Sequence, residues 1–136
     1  MKLMKFPIIA GSAIISPAKN FYVNVENIYE IEGSVSSTPD CIIRFLSHGV
    51  SDDAATTVEG KITITFDGAD DDEKVTNANK FADFFAGLVA ELTDAQAINK
   101  HAVHTLIPSL ADIHAKTGIV KTGGTGNDAI ATIALT

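Results

Sequence analysis

The chain has 136 residues, of which 46% are hydrophobic, 17 are acidic and 10 are basic. This length suits one domain with a real core, and the apolar fraction excludes a chain that is disordered by composition. The net charge of −7, with Arg44 as the only arginine, disfavours binding to nucleic acids and anionic membranes, because affinity for phosphates depends on Lys and Arg. No apolar run approaches the length of about 18 residues that spans a bilayer.

Residues 1–20 are predicted to form an arm or the first strands. Residues 1–18 contain lysines, an apolar stretch and small residues in the order of a secretory signal, but Pro7 and Gly11 interrupt the apolar stretch. A strand or hairpin arm is therefore the preferred interpretation. Pro7 and Pro17 each lack an N–H group, which suits the edge of a sheet.

Residues 21–66 are predicted to form a β-meander, which begins with the alternating stretch FYVNVENIYEIEG. The parity predicted to face the core consists of Val23, Val25, Tyr29 and Ile31. The parity predicted to face solvent consists of Asn24, Glu26, Glu30 and Glu32. Asn27 and Ile28 break the alternation, so a kink or bulge is predicted at residues 25–27.

Two more strands complete the meander, CIIRFLSH at residues 41–48 and a strand within KITITFDG that buries Ile62, Ile64 and Phe66. Cys41 is the only cysteine, so the chain forms no internal disulfide and has no zinc-finger framework. Its apolar neighbours indicate a small buried hydrophobic residue.

The hydrophobic period changes to that of a helix after Asp70, and the predicted helix covers residues 73–92. Its apolar stripe consists of Phe81, Phe84, Phe85, Leu88, Val89 and Leu92. Acidic residues at the start of the helix interact favourably with the positive end of the helix dipole. Gly87 lies within the stripe, which suggests a close contact with a neighbouring element.

A second helix is predicted over residues 94–116, because Thr93 and Gln96 form a capping box. Pro108 either breaks this helix or starts a third one, with Gly118 as the C-terminal cap. Residues 119–136 are predicted to form a glycine-rich turn and a closing strand at 129–135.

These elements predict a single α+β domain over residues 1–136: a small antiparallel β-meander sheet of four to six strands, packed on one face by two or three amphipathic helices, with a C-terminal strand. The helical part covers residues 70–116. An edge strand, from the arm at 6–16 or from 129–135, is expected to expose backbone groups that another copy can pair with.

Histidines provide the only candidate metal site. His101 and His104 are three residues apart on the predicted helix, and His114 lies near Asp112. The sequence has no H-E-x-x-H motif, so histidines at the solvent edge of the helix are the preferred interpretation.

Two loops resemble ligand-binding motifs but depart from them. The stretch KTGGTGND has Gly124 where a phosphate-binding loop has lysine, so it is interpreted as a turn. The acidic loop 67–73 lacks the calcium-binding order of residues and has Ala78 at the twelfth place, so it is interpreted as a solvated lead into the helix.

No catalytic residue is assigned and no cofactor is expected. Cys41 or a serine, with a histidine and Asp52 or Asp53, is conceivable as a nucleophilic arrangement. The chain has no G-x-S-x-G motif and Cys41 has no activating neighbour except Arg44.

The order of strand, VNVENIYEIE, strand, KITITF and amphipathic helix, over residues 21–92, resembles small proteins encoded by marine tailed phages. These place an ENI-x-x-IE turn between two strands, and a few are virion-associated. The segment ENIYEIE is also similar to the opening strands of LytTR-type DNA-binding domains, but those require a basic face.

Three functions follow as hypotheses. The preferred one is a non-enzymatic structural or assembly protein, homo-oligomeric, with other virion proteins as further partners and the virion or the host cytoplasm as its location. The second is a metal- or ligand-binding domain or enzyme that uses the histidines. The third is a nucleic-acid-binding regulator, which the acidic charge disfavours.

Overall fold

The computed structural model describes residues 3–7, 20–34, 38–47, 58–93, 103–105, 115–124 and 129–135. In chain order the elements are β1 (Leu3–Pro7), β2 (Asn20–Asn24), the 3-10 turn η1 (Val25–Asn27), β3 (Ile28–Glu32), β4 (Asp40–Ser47), β5 (Val58–Phe66), α1 (Asp71–Thr93), β6 (Val103–Thr105) and β7 (Ile130–Leu135). Residues 115–117 are also helical. The predicted helix, C-terminal strand and α+β class are confirmed.

The strands form two sheets. The four-stranded sheet has the order β3-β4-β5-β7 and is antiparallel throughout. The three-stranded sheet has the order β2-β1-β6, with β1 antiparallel to β2 and parallel to β6. The arm therefore contributes β1, Leu3–Pro7, as the central strand of the three-stranded sheet, whereas the sequence predicted a strand at a sheet edge. The rest of the arm, residues 8–19, lies outside the described residues.

The predicted kink at residues 25–27 is confirmed as the 3-10 turn that joins the two sheets. The side chain of Asn24 caps this turn by accepting a hydrogen bond of 3.1 Å from the backbone N–H of Glu26. A register shift between Ile28 and Glu30 follows in β3. Because the turn and the shift interrupt the alternation, Ile28 packs against the core and Tyr29 is 47% exposed. The prediction that Tyr29 faces inward is wrong.

Helix α1 packs on the four-stranded sheet and adds Phe81 and Phe85 to the phenylalanines that the strands contribute to the core. The ring centroid of Phe81 lies 5.3 Å from that of Phe66 in β5, and Phe85 lies 5.9 Å from Phe6 in β1. The predicted apolar stripe is confirmed, although Phe84 is only half-buried. Gly87 is exposed, and an added Cβ there would meet no atom of the described residues within 4 Å, so the close contact predicted for it is wrong.

The second predicted helix, residues 94–116, is wrong at Val103–Thr105, which form β6. Val103 and Thr105 are β-branched, and β1 offers a strand to pair with, so sheet formation overrides the helical spacing. Residues 94–102 and 106–114 lie outside the described residues. Gly118 follows the helical residues 115–117 with a φ of 70°, which confirms the predicted glycine cap. No helix in the described part of the chain has the length and apolarity needed to cross a membrane.

Candidate functional site

The candidate metal ligands are placed only in part. His104 lies in β6 beside Met4 of β1, so it does not share a helical face with His101 as the sequence suggested. His101 and His114 lie outside the described residues. Within the ranges that the structure describes, no three His, Cys, Asp or Glu side chains are grouped to hold a metal ion.

Cys41 is confirmed as a buried hydrophobic residue of β4. Burial, followed by the negative charges of Asp40 and Glu32, raises the pKa of its thiol to about 12. The thiol therefore stays protonated at neutral pH and is a poor nucleophile. Asp52 and Asp53 lie outside the described residues.

The acidic loop before α1 uses its carboxylates to organise the start of the helix. Asp70 Oδ1 accepts a 2.8 Å hydrogen bond from the N–H of Glu73, and Asp67 Oδ1 accepts one of 2.8 Å from the N–H of Gly68. Carboxylate oxygens are also the ligands that a calcium ion prefers. Because these two oxygens accept hydrogen bonds from the backbone, they support the interpretation of the loop as the lead into the helix.

A second polar structure joins α1 to residues 118–124, which we call the strap. Three side chains on one stripe of α1 contact alternate residues of the strap: Glu73, Asn77 and Lys80 contact Thr122, Val120 and Gly118, respectively. These contacts form a ladder between a helix and a chain that runs in the opposite direction.

The spacing of the ladder follows from the geometry of its two sides. Positions 73, 77 and 80 are three or four residues apart and so lie on one helical face, over about 10 Å of helix. Residues 118–122 would span about 13 Å if fully extended, and their exposure alternates, with Ile119 buried and Val120 and Thr122 exposed. The length of α1 between positions 73 and 80 is close to that of residues 118–122, so each of the three α1 side chains reaches one residue of the strap.

Asn77 occupies the middle of this ladder and is the one buried polar residue among those described, with 1% of its surface exposed. Its Nδ2 donates to the carbonyl oxygens of Val120 (2.5 Å) and Asp67 (3.0 Å), and its Oδ1 accepts from the N–H of Val120 (3.2 Å). Each polar atom of the amide thus has a partner, which is what burial requires.

Asn77 is not among the site residues predicted from the sequence, although the sequence carries a signal for it. Asn77 lies four residues before Phe81 and eight before Phe85, so it belongs to the same face as the predicted apolar stripe. A polar residue on a buried face indicates a specific hydrogen-bonding partner. The identity of that partner, the backbone of Val120, depends on a fold that brings together residues 43 positions apart.

Two carboxylates bind Lys121 and Thr122 of the strap. Glu73 accepts hydrogen bonds of 2.6 Å from both the N–H and the hydroxyl of Thr122. Asp67 Oδ2 lies 2.8 Å from Lys121 Nζ. The hydrogen bonds from Thr122 lower the pKa of Glu73, and the hydrogen bond from Lys121, with that from the Gly68 N–H, lowers the pKa of Asp67.

The glycine-rich end of the strap, residues 121–124, forms a turn, as the sequence predicts. The N–H of Gly124 donates to the carbonyl oxygen of Lys121 at 3.0 Å, and Gly123 has a φ of 80°. Lys121 and Thr122 contact carboxylates of the chain itself. Residues 125–128 lie outside the described residues.

Strand β7 provides the second feature of interest because it forms one edge of the four-stranded sheet. Among the described strands only β5 pairs with it. Its sequence, IATIAL, contains no charged residue and no proline. Ile130 and Ile133 are buried in the hydrophobic core, whereas Thr132 and Ala134 are half-exposed.

The opposite edge, β3, carries charges. Arg44 of β4 donates from Nη1 to Glu32 at 2.8 Å and to Glu30 at 3.2 Å, and both glutamates belong to β3. A hydrogen bond from Arg44 to Glu32 raises the pKa of the guanidinium, which stays charged at all pH values relevant here. The two edges of one sheet thus differ in chemistry.

A comparison with protein families, with curated proteins and with solved structures finds no match to this chain. Function is therefore argued from the geometry of the strap and of the sheet edges.

Proposed function

We propose that this protein is a non-enzymatic assembly protein that acts through homo-oligomeric contacts, in which β7 of one copy pairs with β7 of another. The observation that carries the proposal is the uncharged edge of the four-stranded sheet, at Ile130–Leu135. A strand at an edge presents backbone N–H and C=O groups that can form hydrogen bonds with a second strand.

A second copy suits this edge because identical strands pair antiparallel about a two-fold axis. Each copy then offers the same surface, and the sheet grows from four strands to eight. No like charges meet across the pairing, since β7 carries none. A register shift lies between Ile130 and Thr132, so the regular part of the edge is Thr132–Leu135.

The short regular edge sets the strength of the contact. Four residues of strand pairing bury less area than a standard stable interface of about 1,600 Å². The expected dimer is therefore weak and depends on concentration, which suits a subunit that gains stability by joining a larger assembly.

A virion is the proposed setting of that assembly, with other virion proteins as further contacts. The support for this setting is the resemblance of residues 21–92 to small proteins of marine tailed phages. The arrangement of β2, the turn at Val25–Asn27 and β3 agrees with the pattern on which that resemblance depends.

The mass of the protein as a function of concentration tests the proposal. Sedimentation equilibrium over a hundredfold range of concentration is expected to show reversible exchange between monomer and dimer. Native mass spectrometry of isotopically heavy and light copies, mixed, is expected to show the heterodimer. A monomer at all concentrations, or an irreversible aggregate of undefined size, would contradict a specific β7 pairing.

A further inference from the structure

The strap has two halves that differ in how α1 holds them. The inner half, residues 118–120, is held by groups that do not change charge between neutral and acidic pH: the amide of Asn77, the ammonium of Lys80 and the burial of the Ile119 side chain. The outer half, residues 121–124, is held by the carboxylates of Asp67 and Glu73.

We propose that the outer half of the strap is an acid-released latch: protonation of Glu73 and Asp67 frees residues 121–124 from the start of α1, while residues 118–120 and the core keep their places. This proposal concerns a different part of the molecule from the β7 edge and does not depend on its pairing.

The chemistry of the contacts supports release. A carboxylate accepts stronger hydrogen bonds than a protonated carboxyl group, because its oxygens carry the charge. Glu73 accepts two hydrogen bonds from Thr122 at 2.6 Å, and Asp67 faces the ammonium of Lys121 at 2.8 Å. Protonation removes the negative charge from both contacts.

Other charged groups lie near the two carboxylates, and the positive charges among them agree with this direction. Lys80 faces Glu73 and Lys74 faces Asp67, both from α1, and both stay charged in acid. Asp70 accepts from the N–H of Glu73 and belongs to the loop before the helix. Strand β7 brings no charged residue near Asp67, whose N–H donates to the carbonyl oxygen of Ala129.

The direction of the pH dependence follows from the lowered pKa values of both carboxyls. A group whose pKa is lower in the folded protein contributes to the contact at neutral pH, and the contribution is lost as the pH falls below the ordinary carboxyl range, about pH 4. The latch is therefore closed at neutral pH and opens in acid.

The core provides no reason for the whole protein to unfold at the same pH. Among the buried residues that the structure describes, Asn77 is the only polar one besides the thiol of Cys41, and neither gains a charge in acid. Glu30 and Glu32 do titrate, but they lie on β3 and bind Arg44. Local opening can thus precede the loss of the fold.

Backbone NMR relaxation tests the latch on the full chain. The ¹⁵N heteronuclear NOE of the Thr122 and Gly124 amides is expected to fall from the level of α1 to that of a mobile loop as the pH is lowered from neutral, with a midpoint below about pH 4. The NOE of Val120 and of the Phe85 amide in α1 is expected to stay at its neutral value.

Variants separate the latch from general acid effects. The double variant Glu73→Gln with Asp67→Asn imitates the protonated state and is expected to show a mobile Thr122 already at neutral pH. Asp83→Asn, which removes an exposed carboxylate of α1, is the matched control and is expected to behave like the wild type.

Three outcomes would overturn the inference. They are a Thr122 amide that stays ordered in acid, a loss of order at Thr122 and Phe85 with one common midpoint, or a control variant that loosens the strap as much as the double variant. The mass measurements that test β7 pairing do not enter this comparison, so either proposal can fail alone.

Discussion

The two edges of the four-stranded sheet differ in charge: β3 carries ionised side chains and β7 carries none. Strand β3 and strand β7 each have a register shift near their start. On β3, the exposed Tyr29 lies within the shift and the charged side chains Glu30 and Glu32 follow it, whereas β7 continues with uncharged residues only. Charges on an edge discourage pairing with another strand, so β7 is the edge that we propose for association.

The largest expected effect comes from the isoleucines that anchor the two edge strands, because they differ in burial. Ile133 of β7 is fully buried, whereas Ile31 of β3 is only partly buried. The substitution Ile133→Ala is expected to reduce the free energy of unfolding by about 2–5 kcal/mol, because it leaves a cavity in the hydrophobic core. Ile31→Ala is expected to cost about 1 kcal/mol.

Urea denaturation, followed by circular dichroism, measures both values. Equal losses of stability for the two variants would show that β7 is not more firmly anchored than β3, and the contrast between the edges would then depend on charge alone.

A smaller loss is expected from the interior of the sheet, between the edges. A Cβ added to Gly60 of β5 would lie 2.1 Å from Cζ of Phe45, whose side chain is buried. Gly60→Ala is expected to destabilise by about 1–3 kcal/mol through overpacking. Gly87→Ala, at an exposed helix position, is the control and is expected to stabilise by up to about 1 kcal/mol.

The melting temperatures of the two glycine variants, compared with the wild type, check the signs. An unchanged melting temperature for Gly60→Ala would mean that the Phe45 ring has room to move and that the sheet interior is looser than the structure shows.

The edge variants address association itself. Thr132→Lys places a charge on the half-exposed face of β7 and is expected to weaken self-association at least tenfold, or about 1.4 kcal/mol. Tyr29→Lys adds the same side chain to the opposite edge and is expected to leave the association constant within about twofold of the wild type. Sedimentation equilibrium measures both, and the opposite ranking would assign the contact to β3.

The smallest effect is expected from the ion pairs of the β3 edge. Arg44→Met removes both contacts with Glu30 and Glu32, which are partly exposed to solvent. Surface ion pairs are worth about 0–1 kcal/mol, so stability is expected to fall by no more than that, and less at high salt. A loss of several kcal/mol in urea denaturation would show that these charges hold the edge in place.

Periodicity predicted the strands, the long helix and the C-terminal strand, because each buries one face and so shows a regular pattern. The phenylalanines of α1 are the clearest case. Periodicity failed where a partner far along the chain decides the structure. Val103–Thr105 pairs with β1, about 100 residues earlier, and no local signal specifies that pairing.

The strap illustrates the same limit for the candidate site. The acidic loop, Asn77 and the glycine-rich turn are each visible in the sequence, but their contacts join residues 43 to 54 positions apart. The sequence alone predicts two separate features, a lead into the helix and a turn. Only the fold shows that the carboxylates of one loop hold the backbone and side chains of the other.

Hydrogen exchange at two protein concentrations, with peptides that cover β3 and β7 analysed separately, tests the central claim most directly. The account predicts that exchange in Thr132–Leu135 slows as the concentration rises, whereas exchange in Glu30–Glu32 does not change. Equal protection of both edges at all concentrations, or slowing at β3 alone, would contradict it.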